Sequence, residues 1–507
     1  MNRRSVITSA ASVALVTASS RASAASKGAA VATSSHPLDT HDALGLADLV
    51  RKREVSALEL LEASIERVEA LNPRFNFMAH RHYDLGRAAI AKGLSDGPFK
   101  GVPWLIKDLN TYIEGEITSN GSRFYKDARA TVTSELVLRQ QKAGFVIFGK
   151  TTSPEFGLSA TTENKLTGDT RNPWNPAHIA GGSSGGAGAA VAARVIPAAH
   201  ATDGGGSIRI PASACGLFGL KPSRGRIPMG PPRTEGWGGL SAHHAVTHSV
   251  RDSAAIMDAT HGVELGSRYG APTPDGSFLS QVTKAARPLK IALMLAPVSG
   301  SPVDSEAVEA TRAAARLCEN LGHHVEEAAP QIDAAAIGAA SFVLSASSIA
   351  ADLLDRATAT GLTPGPDLLE PITLGFFGYG QTVKGMDYAR ANSTLQTAAI
   401  KVAQFMADYD LILSPTLAAP PLELGQINLS PDLDFQAWGQ KIATFSPFTQ
   451  LANLTGQPAM SVPLSMSRSG MPIGVMFMGR YGDEATLFQL AGQLETAAPW
   501  VNRRPSI

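Results

Sequence analysis

At 507 residues the chain can bury a large core, and length alone allows roughly two to four domains. Hydrophobic residues make up 44% and charged residues 17%, with 44 basic side chains balancing 44 acidic ones. That balance carries no electrostatic footprint for nucleic acid or an anionic membrane surface, so neither is expected as a partner and a small, mostly neutral substrate is.

Residues 1–30 stand apart. Arg3-Arg4 is followed by Ser5-Val6-Ile7, an apolar run from Ala10 to Val16, and then Ala22-Ser23-Ala24. A charged start, a short apolar core and a small-x-small site describe an export signal, and the arginine pair resembles a twin-arginine signal. The alternative is an Ala/Ser-rich cytoplasmic leader. The export reading predicts a periplasmic or secreted protein with a mature start near Ala25. The run is too short to span a bilayer, and no stretch of about 20 unbroken apolar residues follows it. Export permits a disulfide between the two cysteines, Cys215 and Cys318. Cys215 lies in the apolar stretch Ala212 to Leu220, and both are expected as buried free thiols.

Beyond the leader, Ser56-Ala-Leu-Glu59 is a capping box, and Leu61, Ile65 and Val68 recur at helical spacing until Asn72-Pro73. An extended piece over Phe75 to Ala79 and a helix from Asp84 to Gly93 follow. Val102 to Lys107 reads as a buried strand, Thr133 to Lys142 as a helix stopped by Gly144, and Phe145 to Phe148 as a second strand. Ala187 to Val195 reads as an Ala-rich helix, with Pro197 to Thr202 and Leu217 to Leu220 extended. Leu289 to Leu293, Val325 to Glu327 and Asp410 to Ser414 are further strands. Val303 to Leu321 and Glu484 to Thr496 are helices. Pro458 to Pro463 and Gly474 to Met478 form a late hairpin. Strands interleaved with helices predict an α/β fold with a sheet covered on both faces, as a single domain over 36–505 in which Ala334 to Gln440 is a helical elaboration.

Two glycine-serine loops carry the chemistry. The first, Gly181-Gly182-Ser183-Ser184-Gly185-Gly186, contains Gly-x-Ser-x-Gly, the pattern of a nucleophile elbow and equally that of a flexible turn before a helix. An elbow needs acidic and histidine partners later in the chain, and His200, His243, His244, His248, His261, His323 and His324 lie in no evident catalytic context. The second, Asp203-Gly204-Gly205-Gly206-Ser207-Ile208-Arg209, frees the backbone of Cβ obstruction, so the amides of Gly204, Gly205, Gly206 and Ser207 can converge on a developing oxyanion. It fits neither Gly-x-Gly-x-x-Gly nor a phosphate-loop pattern. A serine hydroxyl needs a base, and Lys107, behind Trp104-Leu105-Ile106, would serve if burial kept it neutral. By local context Lys150 is an equal candidate.

These loops, with Gly216-Leu-Phe-Gly219-Leu-Lys221-Pro222 following, resemble the amidase signature family, and the resemblance runs from about His41 to the C-terminus, including Gly456-Gln-Pro458-Ala. It implies a large mixed twisted sheet sandwiched between helices and a hydrolase of linear carboxylic amides working through an acyl-enzyme, with neither metal nor organic cofactor. It places the nucleophile at Ser207, a relay hydroxyl at Ser183 on a cis peptide after Gly182, and the base at Lys107, which decides against Lys150. It makes Ser184 a supporting hydrogen-bond partner, has Asp203 and Arg209 brace the loop, and forms the oxyanion hole from Gly204 to Ser207. Arg171-Asn-Pro173-Trp174-Asn175-Pro176 and the ending Ala498-Pro499-Trp500 resemble, within the family, bacterial amidases of the 6-aminohexanoate cyclic-dimer hydrolase type. The same resemblance admits a glutaminase subunit of a tRNA-dependent amidotransferase, which the export signal opposes, and a catalytically dead periplasmic binding protein, which the intact triad opposes. Phe376, Phe377 and Tyr379 are expected to fill a core rather than wall a substrate pocket.

Overall fold

The capping box at Ser56 forms: Ser56 Oγ accepts from the Glu59 amide at 3.1 Å, and Glu59 Oε2 accepts from the Ser56 amide at 2.8 Å. In the computed structural model, which describes residues 36–432 and 434–507, this helix covers Ala57–Phe75. The leader and its export reading lie outside the described residues. The helix runs past Asn72-Pro73, where the sequence predicted its end, because Pro73 falls in the last turn and Asn76 closes it in a left-handed conformation (φ 52°). Asn72 Oδ1 then accepts from Phe77 and Met78, turning the chain into the strand Met78–Arg81.

Pro37–Ile507 forms one compact unit. Its eight-stranded sheet runs in the order Ala198–Asp203, Ala242–Thr247, Phe218–Lys221, Ala459–Met466, Pro472–Gly479, Leu411–Pro415, Lys290–Leu293, His324–Glu327. Neighbours are antiparallel as far as Leu411–Pro415, and the last three strands are parallel. Both faces of the inner strands are buried, whereas the edge strand His324–Glu327 is largely exposed. Leu411, Leu413, Val475 and Phe477 pack with the helices Ser305–Asn320 and Glu484–Ala497, whereas Ile412, Met476 and Met478 pack with Ala334–Thr360 and Gly385–Phe405. Cys215 and Cys318 are free and buried in separate clusters.

A second sheet of three strands, Met78–Arg81, Val146–Thr151 and Pro103–Lys107, stands beside the first. Pro103–Lys107 lies against Ala198–Asp203 without joining its ladder. The Lys107 amide donates to the His200 side chain, at Nδ1 (3.1 Å), so a side chain takes the place of a ladder bond. The helix predicted from Ala187 begins at Gly185, directly on the first loop, and the segment after the second loop is a helix, Arg209–Cys215, that the sequence did not announce. Ala334–Thr360 is long and apolar enough to cross a membrane by length and composition. Here it packs Leu344, Ile349 and Leu353 into the layer and turns Ser341 and Phe342 toward the site.

Candidate active site

Three elements bring the predicted residues together. Pro103–Lys107 ends with Lys107, the first loop precedes the helix Gly185–Ala192, and the second loop joins Ala198–Asp203 to Arg209–Cys215. Lys107 is wholly buried, with Nζ 2.7 Å from Ser183 Oγ and donating to Thr202 Oγ1 at 2.8 Å. Burial drives the lysine well below its ordinary pKa, opposed by the charge of Asp203, and so favours the free amine. Ser183 and Ser207 line one small cavity together with Thr202, Gly204 and His243. The Gly182–Ser183 peptide is cis. Gly182 is obligatory here, because a Cβ would run into the Thr161 backbone.

Lys150 and Lys221 are as deeply buried as Lys107, but neither approaches a serine of the two loops. Lys150 Nζ donates to Thr118 Oγ1 at 2.6 Å and to the Thr111 carbonyl at 3.1 Å, and it lies 3.9 Å from Asp108. Lys221 Nζ donates to the Pro222 carbonyl at 2.6 Å. Burial alone therefore does not distinguish a base; contact with Ser183 does.

The second loop is shaped by a fully buried ion pair. Arg209 grips Asp203 through Nε (3.0 Å) and Nη2 (2.8 Å), and also donates to the Thr449 carbonyl and Asn453 Oδ1. Burial opposes ionisation of Asp203, but Arg209, Lys221 and Asn453 outweigh it and hold the carboxyl at about 2. Asp203 in turn accepts from the amides of Gly206 (2.8 Å) and Ile208 (3.1 Å). This corrects one expectation. The Gly206 N–H is committed to Asp203, so it shapes the loop, and of the four expected oxyanion donors the amides of Gly204, Gly205 and Ser207 are left. Gly206 has φ 135°, and Thr449 packs where a Cβ would stand. Ser184 exchanges hydrogen bonds of 3.2 Å with the carbonyl and amide of Thr202.

A cleft of about 500 Å³ opens on Ser207, walled by Ile210, Phe342, Phe376, Phe435, Trp438 and Ile442. Phe376 packs on Phe342 and Phe435, with ring centres 5.0 and 5.5 Å away, and also lines the cleft. The expectation of core packing therefore gives way at this residue: Phe376 is both core and wall. Phe377 is half-buried in the same cluster, and Tyr379 is exposed. On the other side of Trp237 a polar cavity of about 620 Å³ carries Arg233, Glu235, Asp352 and Arg356. Thr162, Thr202, Thr449 and Asn453 also hold the loops and were not singled out in the sequence. Thr202, adjoining Asp203, had a positional signal; the other three are brought in from distant segments. Among the described residues no three or more His, Cys, Asp or Glu side chains are grouped as a metal site.

A buried lysine amine against a hydroxyl, a second hydroxyl in the same cavity and backbone amides beside it are parts that hydrolysis of a carboxylic acyl bond can use. The model of the amidase family matches residues 59–488, and the chain belongs to that family, whose members hydrolyse carboxylic amide C–N bonds. It is similar to the 6-aminohexanoate-cyclic-dimer hydrolase of Paenarthrobacter ureafaciens, 38% identical over 483 residues that cover 92% of this chain and 96% of the other. A solved structure of 6-aminohexanoate cyclic dimer hydrolase complexed with substrate superposes with a TM-score of 0.87 at 36% identity, covering 93% and 99% of the two chains. A bacterial aryl acylamidase of the amidase signature family gives 0.83 at 28% identity, covering 93% and 100%.

Proposed function

We propose that Ser207 attacks the amide carbon, passing its proton to Ser183 Oγ while Ser183 passes its own to Lys107 Nζ. The oxyanion rests on the amides of Gly204, Gly205 and Ser207. As the C–N bond breaks, the proton on Lys107 returns through Ser183 to the departing amine, leaving an ester on Ser207 that water then cleaves. The observation that carries this reading is the 2.7 Å contact between the wholly buried Lys107 amine and Ser183, in the cavity that Ser207 shares.

The acyl half of the substrate lies in the apolar cleft, because that cleft reaches Ser207 but not Ser183, which must face the leaving nitrogen. The likeness to hydrolases of the 6-aminohexanoate cyclic dimer supports an aliphatic acyl chain. Along a series of primary amides from acetamide to hexanamide, kcat/KM rises by about fourfold per methylene while the chain stays inside the cleft. A flat or falling series removes the apolar acyl site.

The leader supports export, and with it a periplasmic or secreted amidase over a cytoplasmic glutaminase subunit. Replacing Arg3 and Arg4 by lysine leaves unprocessed protein in the cytoplasm if the twin-arginine route is used. Native protein whose N-terminal sequence begins at Met1 in a cytosolic fraction ends the export reading.

A further inference from the structure

Two buried imidazoles connect the backbone of Lys107 to the wall of the cavity that holds both serines. Strand geometry puts them there. His200 and Thr202 are two residues apart and project to the same face, and Thr202 stands opposite His243 on the adjoining strand. The Lys107 amide donates to His200 Nδ1, and a backbone N–H can only donate, so a neutral His200 carries its proton on Nε2. That nitrogen lies 3.0 Å from His243 Nδ1, which must accept. The proton of a neutral His243 is therefore on Nε2. Burial favours the neutral form of both rings, with His243 lowered to about 3.

Among the described residues the His243 ring makes one side-chain hydrogen bond, that at Nδ1, and His243 lines the cavity with Ser183, Ser207, Ser241 and Asn110. The cavity measures about 30 Å³ and sets these polar groups among the apolar side chains of Leu109, Phe156, Met229 and Trp237, so it has the room and the polar partners for one or two water molecules. A fixed donor at this place cannot assist the nitrogen of an intact amide, whose lone pair is delocalised into the carbonyl. It can hold water, whose oxygen has two lone pairs, one to accept and one to attack.

We propose that this cavity holds the water that cleaves the acyl-enzyme, and that His243 is its positioning residue. His243 Nε2–H donates to the water oxygen. That oxygen bonds to the acyl carbon as one water proton passes to Ser183 Oγ and the Ser183 proton passes to Lys107 Nζ. Collapse of the tetrahedral intermediate breaks the bond to Ser207 Oγ, which regains a proton from Lys107 through Ser183. A carboxylic acid and the starting enzyme remain. The inference rests on the proposed acyl-enzyme at Ser207.

The test uses two variants of the full enzyme with a p-nitroanilide substrate. His243→Asn keeps an acceptor for His200 but lacks a donor at the Nε2 position, whereas His243→Gln can reach that position with an amide N–H. His243→Asn is expected to release the first equivalent of nitroaniline in a burst and then turn over about tenfold more slowly. Its kcat and KM fall together, kcat/KM stays within about threefold of wild type, and intact-mass spectrometry shows an acyl adduct at Ser207. Hydroxylamine, which attacks without that water, restores its turnover, and His243→Gln recovers rate without a burst. An unchanged kcat in His243→Asn, or an equal fall in kcat and kcat/KM with no adduct, overturns the proposal. If wild-type enzyme instead takes a fluorophosphonate at a residue other than Ser207, the reading of the active site fails, which is a distinguishable result.

Discussion

Ser207→Ala is expected to lower kcat by about 10⁴-fold or more while leaving the fold intact. In the proposed reaction the chemistry passes through Ser207 Oγ, while Ser183, 2.7 Å from Lys107, relays the proton. The fold persists because the second loop is shaped by Asp203, Arg209 and Asn453, whose hydrogen bonds use backbone amides, carbonyls and one another rather than Ser207 Oγ. A fluorophosphonate should label Ser207 in wild type, as peptide mapping would show, and the variant should melt with wild-type cooperativity. An active Ser207→Ala enzyme labelled at Ser183 would make the first loop a nucleophile elbow.

Lys107→Ala is the second large effect, with a loss of about 10²–10⁴-fold expected from removing a general base. The working form is the free amine, so kcat/KM rises with pH as Lys107 loses its proton and is flat above that point. Burial lowers the Lys107 pKa well below the ordinary lysine value of 10.5, so the plateau begins far below pH 10.5. A rate still climbing at pH 10 contradicts a buried neutral base. EDTA is expected to leave the profile unchanged, and loss of activity restored by a divalent ion would overturn the mechanism. Lys150→Met is the control. Its amine steadies Asp108 and the turn at Thr118, so its loss costs about 3 kcal/mol of stability. The kcat of the folded enzyme changes little.

What the sequence revealed and what it withheld divide along the range of the interactions. Capped helices and the two loops were legible because their signals are local: Ser56 and Glu59 satisfy each other three residues apart, and a run of glycines before a serine declares its own backbone freedom. Lys107 and Lys150 were indistinguishable by local context, since both end buried strands; only the resemblance, and then the contact with Ser183, separated them. The same limit hid His243, which acquires a position only when Ala242–Thr247 pairs with Ala198–Asp203. Asn453 and Thr449 brace a loop more than two hundred residues upstream, and no nearby pattern marks them. The commitment of the Gly206 amide to Asp203 depends on how the loop curls, which composition leaves open.

The groups proposed to react are divided between two separate sheets. Lys107 ends a strand of the three-stranded sheet, and Ser207 follows an edge strand of the eight-stranded one. A chain with either sheet formed alone has an ordinary, protonated lysine exposed to water and a serine with nothing to deprotonate it. Reactivity is thus an emergent property of docking, and it switches on only as the interface between the sheets closes over the lysine. On that reading an incompletely folded molecule is chemically silent.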